Sequence, residues 1–407
     1  MKTILISAYS VNPFKGSEDG MGWNFTLQAA KYNKVIVVTR KNNREAIFSY
    51  SKENNVDLTN VQFEFYDLPY WMRFWKKKNK GALIYYYMWQ IGLALKLKMS
   101  SLEFDVVHNL NFHNDWTPSF LWVLNKPLVW GPIGHHPEIK SSYLKTYGWK
   151  AQVLHKLKWV VKSFFWKFDP FLKLTRSKAK KIIVMNSAAK VGKGNKSKIV
   201  LMPSVATEEP QRIKNQRSDE FKVLSVGRLV PLKGFDIALK AFAKFYYSLS
   251  RYEQYHASFT IVGSGVLKAG LIHLIEKYKL KGRVRIIDWV ERKDLLSYYR
   301  NSNVFLFPSH EGAGMVVAEA MSYGLPVVCL DNCGPGEFID ETCGIKVESV
   351  SYHSIIHNTA FALRYLHQNK EKREKLSRGA YVKFKKDLSW KLRAKKLANI
   401  YKSAMSA

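Results

Sequence analysis

Glu311 and Glu319 lie eight residues apart, with Gly312 and Gly314 between them. A carboxylate accepts hydrogen bonds from neighbouring hydroxyl groups, the kind a sugar or a ribose offers. Glycines leave backbone amides accessible. Where a loop turns into a helix, the first N–H groups lack intrahelical acceptors and favour an anion. The amides of Gly312, Gly314, Met315 and Val316 sit at such a start. Glu311 precedes the turn and Glu319 falls about one turn into the helix, so both carboxylates can face one pocket. That pocket could take a sugar on one carboxylate, a ribose on the other and a diphosphate on the amides between them. A second loop, Gly227-Arg228-Leu229-Val230-Pro231-Leu232-Lys233-Gly234, supplies two cations. A diphosphate leaving group gains negative charge as its bond breaks, and fixed cations stabilise that charge. Arg228 can hold two oxygens at once, whereas Lys233 acts as a point charge.

Strands must position these loops. Val304-Phe305-Leu306-Phe307, ended by Pro308, precedes Glu311; Gly324 and Pro326 stop the helix; Val327-Val328-Cys329-Leu330 starts another strand. Phe221–Val226 precedes Arg228, a helix is predicted over Phe235–Ser248, and Ser258–Val262 leads into the glycine turn Gly263-Ser264-Gly265. Val284–Ile287 precedes Trp289-Val290. The first half repeats the alternation, with strands predicted at Ile4–Ala8, Val35–Thr39, Val61–Tyr66, 105–108, Leu128–Trp130, Ile182–Met185 and Ile199–Leu201, and a helix over Gly22–Lys31. Strands separated by helices imply a parallel, doubly wound α/β topology, in which ligands bind beyond the carboxyl ends of the strands. Gly20 and Gly22 follow the first strand, where their amides could meet a diphosphate; His108 ends the strand at 105–108 and His113 follows it. Trp130-Gly131-Pro132-Ile133-Gly134-His135-His136 follows another strand, where it could line the acceptor side, and has no assigned role in the chemistry. The polar run Ser204–Glu220 reads as a linker.

A chain of 407 residues fits two domains better than one core. Met1-Lys2-Thr3-Ile4-Leu5-Ile6-Ser7 turns polar too soon for a signal peptide and reads as a strand. The run from Gly81 to Leu95 is too short for a membrane span. Cys329, Cys333 and Cys343, even with His353 and His357, match no standard zinc spacing, so unlinked thiols in a reducing compartment are expected and no metal site. The net charge is +33 and is clustered. Between Lys140 and Lys181 stand twelve bases and one acid, Asp169; between Arg73 and Lys98 stand seven bases and no acid. Aromatics interleave both stretches, among them Trp71, Phe74, Trp75, Trp149, Trp159, Phe164, Phe165 and Trp166. Lysine with Trp and Phe at helical spacing suits an anionic membrane surface. Phosphate backbones attract the same charge, but no helix-turn-helix, zinc finger or RNA-binding signature favours nucleic acid as the partner.

The segment from Ser309 to Pro326 resembles the E-x7-E signature of retaining glycosyltransferases of family four, which have the GT-B fold. Gly227–Asp236 resembles that family's G-R-L…K-G-x-D segment, Gly263-Ser264-Gly265 its G-x-G loop, and 332–337 its next glycine-rich loop. Ala313 stands where the family usually has an aromatic residue, and the usual H-x-H spacing is absent around His113. The resemblance implies two Rossmann-like domains facing a central cleft. They would be an acceptor-side domain over 1–204, with a final helix at about 390–407 packing back on it, and a nucleotide-sugar domain over 205–389. It implies retaining, metal-independent hexosyl transfer without a cofactor, from a UDP-sugar or GDP-sugar to a glycan or lipid-linked acceptor in surface polysaccharide synthesis. The site would be cytoplasmic, at the inner face of the cell membrane. Arg228 and Lys233 would hold the diphosphate, Glu311 the donor sugar and Glu319 the ribose. His113, with His108 as the alternative, would contact the reacting centre, and Gly263 would approach the nucleotide. A nucleotide-sugar epimerase or hydrolase on the same fold, or a non-catalytic basic binder, are the rival readings. The oligomeric state stays open.

Overall fold

The computed structural model describes every residue except 77–80, 111–113, 137, 140, 145–147, 193–195, 211–219, 289 and 407. Apolar runs become parallel strands in two sheets. The first sheet contains β1 (Thr3–Ala8), β2 (Lys34–Thr39), β3 (Val61–Phe65), β4 (Val106–Leu110), β5 (Leu128–Ile133), β6 (Ala179–Val184) and β7 (Ile199–Leu201). Its order is β3-β2-β1-β4-β5-β6-β7. The second contains β8 (Phe221–Val226), β9 (Ala257–Val262), β10 (Val284–Ile287), β11 (Val304–Phe307), β12 (Val327–Leu330) and β13 (Gly344–Val347), in the order β10-β9-β8-β11-β12-β13. Central strands such as β4, β5, β11 and β12 are buried along their whole length, because helices cover both faces of the sheet. The edge strands β3 and β7 are only partly buried.

The chain divides into two compact units. The first comprises Met1–His135, Trp159–Ser204 and Trp390–Ala407; the second comprises His136–Lys158 and Val205–Ser389. Residues 136–158, read from the sequence with the first domain, therefore group with the second. The helix Trp390–Met405 packs on the helix Ser17–Ala30 within the first unit, with the rings of Phe25 and Trp390 5.6 Å apart. In the second unit the helix Tyr352–Gln368 packs on the helix Phe235–Tyr246 and covers one face of the sheet.

Chain order reverses between β1 and β4 in the first sheet, and between β8 and β11 in the second. At such a switch point the loops after the two strands diverge and leave a crevice for ligands. The Arg228–Lys233 loop follows β8 and the Glu311 loop follows β11. The topology thus brings the two segments together although 78 residues separate Lys233 from Glu311.

Candidate active site

Glycines set the strand-end loops of the second unit. Gly263 has φ +144°, and a Cβ there would lie 2.0 Å from the carbonyl oxygen of Gly227. Only glycine lets the β8 and β9 loops touch backbone to backbone, where Gly227 N donates to Val262 O (2.9 Å) and Leu229 N to Ser264 O (2.9 Å). This contact accounts for Gly263 structurally. Gly234, at φ +69°, closes the turn after Lys233, and a Cβ there would meet the carbonyl of Pro308 at 2.1 Å. The β8 and β11 loops are therefore in register, with His310 N donating to Leu232 O at 2.9 Å.

In this register Lys233 Nζ donates to Glu311 Oε2 at 2.7 Å, and the two side chains are only 11% and 18% exposed. The ammonium also lies 5.0 Å from the centre of the Phe307 ring. Arg228 is exposed, and its guanidinium has no partner among the described residues. Glu311 N donates to Ser309 Oγ (3.2 Å), and the Asn332 side chain donates to Ser309 O (2.8 Å). The loop after β12 presses on this turn: a Cβ at Gly334 would lie within bonding distance of the Glu311 carbonyl oxygen.

The helix Met315–Ser322 starts immediately after Gly314. The amides of Met315 and Val316 open it and have no intrahelical acceptor, as an anion site requires. Gly312 differs from the sequence expectation. Its amide is not open but donates to His136 Nδ1 at 3.1 Å. Glu319 is buried, and its Oε2 accepts from the Tyr299 hydroxyl at 3.0 Å. Tyr299 stacks on Tyr323, with centroids 5.7 Å apart and planes at 10°, so the phenol that orients Glu319 is itself held. Tyr299 was not marked by the sequence, and His136 was marked only as the end of a segment that could line the acceptor side. Tyr299 sits in an ordinary amphipathic helix, Arg292–Arg300, and nothing in its spacing points to Glu319.

The first unit holds the remaining candidates. His108 is fully buried, with Nε2 2.7 Å from Gly131 O and Nδ1 2.8 Å from the Tyr401 hydroxyl. A carbonyl can only accept, so Nε2 carries the proton and Nδ1 accepts from the tyrosine. Burial lowers the pKa to about 4. His108 is thus a neutral tie between β4, β5 and the C-terminal helix, and the expectation that it contacts a reacting centre is corrected. His113 lies outside the described residues, as does Trp289. The helix expected at Gly22 begins at Ser17, so Gly20 and Gly22 lie inside it, buried, and not in a loop. Gly20 is required there because a Cβ would lie 2.4 Å from Lys15 O. Among the described residues no three His, Cys, Asp or Glu side chains gather as a metal site.

Residues 206–383 match the family model described as glycosyl transferases group 1. The match lies within the second unit, and every strand-end loop described above for that unit falls inside the matched residues. An uncharacterized glycosyltransferase of Haemophilus influenzae is 33% identical over 159 residues, covering 38% of this chain and 43% of that protein. The chain spans about half the length of the curated relatives it matches. Two solved structures align over nearly the whole chain. WaaG, a glycosyltransferase involved in lipopolysaccharide biosynthesis, has 17% identity and a TM-score of 0.64, covering 98% of this chain and 99% of its own. HepE of Anabaena in complex with UDP has 14% identity and a TM-score of 0.63, covering 99% and 100%. At such identities the likeness shows the fold, which is the α/β GT-B fold with two Rossmann-like parallel sheets.

Proposed function

We propose that this protein is a retaining, metal-independent glycosyltransferase. It would move a hexose from a UDP-sugar or GDP-sugar to a glycan or lipid-linked acceptor in surface polysaccharide synthesis, at the inner face of the cell membrane. The observation that carries the reading is the Lys233–Glu311 pair at the β8/β11 switch point, with Arg228 in the same loop and the open helix start beside it. The pair offers a cation for the diphosphate and a carboxylate for the donor sugar, and each holds the other until donor enters. Glu319, oriented by Tyr299, takes the ribose hydroxyls. The leaving phosphate assists deprotonation of the acceptor hydroxyl on the same face of the sugar, which gives retention. UDP bound to HepE and the role of WaaG in lipopolysaccharide synthesis support the donor and the pathway class. The membrane part rests on the exposed lysines Lys156, Lys158 and Lys167 and on the aromatic and aliphatic side chains exposed beside them. No helix among the described residues is long and apolar enough to cross a membrane, so the contact would be peripheral.

Calorimetry with UDP and GDP tests the binding half. A hydrogen bond to a charged group contributes about 1.5–3 kcal/mol, so Glu319→Gln should weaken the nucleoside diphosphate about tenfold or more. Tyr299→Phe should weaken it less, because it frees the carboxylate without removing it. Unchanged affinity in Glu319→Gln would remove the ribose assignment. Turnover of donor at full rate without any acceptor would replace the transferase with a hydrolase or epimerase.

A further inference from the structure

The first unit contains a groove that the proposed transfer chemistry does not use. It lies between the helices Ala82–Lys98 and Trp149–Phe168, with a volume of about 550 Å³. Leu83, Ile84, Met88, Trp116, Val161 and Phe165 line it. Its volume falls in the range of roughly 300–1,000 Å³ typical of small-molecule sites, yet its walls are almost wholly apolar. Trp116 is buried and packs on Phe165 with centroids 5.3 Å apart, so the floor is part of the fold. Leu83, Ile84 and Val161, by contrast, are 41%, 63% and 41% exposed.

The groove continues into a larger apolar face. On the Trp149–Phe168 helix the exposed residues Val153, Leu157, Val160, Val161, Phe164 and Phe168 fall within an arc of about 120° at 3.6 residues per turn. Exposed Lys156 and Lys167 flank that arc on one side and Lys158 on the other. Lys162 does not belong to this rim. It is buried, with its ammonium 4.8 Å from the centre of the Trp159 ring. The sole acid between 140 and 181, Asp169, is also buried and caps the following helix by accepting from Phe171 N and Leu172 N. The exposed arc beside the groove is therefore apolar at its centre and cationic at its flanks, and the one acid between 140 and 181 is buried.

We propose that this groove receives one acyl chain of an anionic phospholipid, whose headgroup meets the lysine rim. An acyl chain matches the apolar walls, a phosphate matches the rim, and the helix arc lies in the interfacial layer beside them. The inference rests on the membrane-surface part of the function proposed above, and it adds a defined lipid site to a diffuse charged surface.

The test uses the full chain and vesicles of phosphatidylglycerol carrying a diazirine on the acyl chain. Irradiation should place adducts within 81–88 and 161–165. The triple variant Leu83→Gln, Ile84→Gln, Val161→Gln changes only exposed positions and should keep its thermal transition. It should lose those adducts by about tenfold while still sedimenting with the vesicles, because the lysine rim is intact. Phosphatidylcholine vesicles with the same diazirine should label the groove far less. Sedimentation without groove adducts overturns the acyl site and leaves the surface reading standing, whereas absence of sedimentation overturns both. Equal labelling from phosphatidylcholine overturns the anionic headgroup. A dimer that the triple variant dissolves would put a second copy of the chain in the groove and overturn the lipid.

Discussion

Arg228→Ala should lower the rate of nucleoside diphosphate release from the donor by about 10²–10³-fold, or about 2.7–4 kcal/mol, the loss seen when one preorganised charge-stabilising donor is removed. Its thermal transition should not move, since Arg228 is exposed and holds nothing in the fold. Lys233→Ala should cost a similar factor in rate but behave differently in stability. It leaves Glu311, 18% exposed, without its 2.7 Å partner. Breaking a mostly buried pair on one side typically costs about 3–5 kcal/mol, because a charge remains without compensation. Adding Glu311→Gln to Lys233→Ala removes that charge. The double variant should regain much of the lost stability and none of the lost rate. Rates within twofold of wild type in either single variant would take the diphosphate away from this loop. Recovery of rate together with stability in the double variant would make the pair a structural tie and nothing more.

The separation between what the sequence made visible and what it hid follows from contact range. β1, β2, β11 and β12 are legible because a sheet covered on both faces demands continuous Val, Ile, Leu and Phe. The loops after them are legible because glycine, proline and charge interrupt those runs. Short β13 carries Lys346 and leaves no such run, and it was not anticipated. The start of the first helix was placed five residues late, at Gly22 instead of Ser17, because two glycines inside a helix argue against it locally; packing of the helix Trp390–Met405 on that face favours it globally. Glu311, Glu319 and Lys233 could be singled out, yet which side chains pair with which could not. Lys233, His136 and Tyr299 reach their partners across 78, 176 and 20 residues: Lys233 to Glu311, His136 to the Gly312 amide beside it, and Tyr299 to Glu319. No periodicity encodes such distances. Lys162 shows the same limit, since its charge counted toward a basic surface while its side chain is buried against Trp159.

Acidification should destabilise both units through one buried histidine in each. His108 in the first unit and His310 in the second have pKa values lowered by burial from 6.5 to about 4. Nearby Asp236 opposes the shift at His310 without reversing it. Between these values the unfolded chain binds a proton that the folded chain refuses, so stability rises with pH across the window. The contribution is complete above about pH 6.5 and is lost as pH falls toward 4, amounting to about 3 kcal/mol for each histidine. Asp340 does not share the window. Burial raises its pKa, but Lys383 and Thr342 more than offset this and hold it below the usual carboxylate range, so its loss comes at lower pH. Denaturant unfolding at pH 7.5, 6.5, 5.5 and 4.5 should show a slope approaching about 1.4 kcal/mol per pH unit per histidine in the middle of the range. His108→Gln leaves the Tyr401 hydroxyl without its acceptor and should lower stability at every pH, while removing its share of the slope. His310→Gln should remove the other share. A flat profile from pH 7.5 to 4.5, or slopes unchanged in both variants, would mean that these imidazoles are not held neutral. His310 adjoins Glu311 and packs edge-on against Tyr143, with ring centroids 5.1 Å apart. Its protonation must disturb the same loop that carries the Lys233 pair. Donor affinity should therefore fall over the same pH window as stability, and in His310→Gln it should stay flat there.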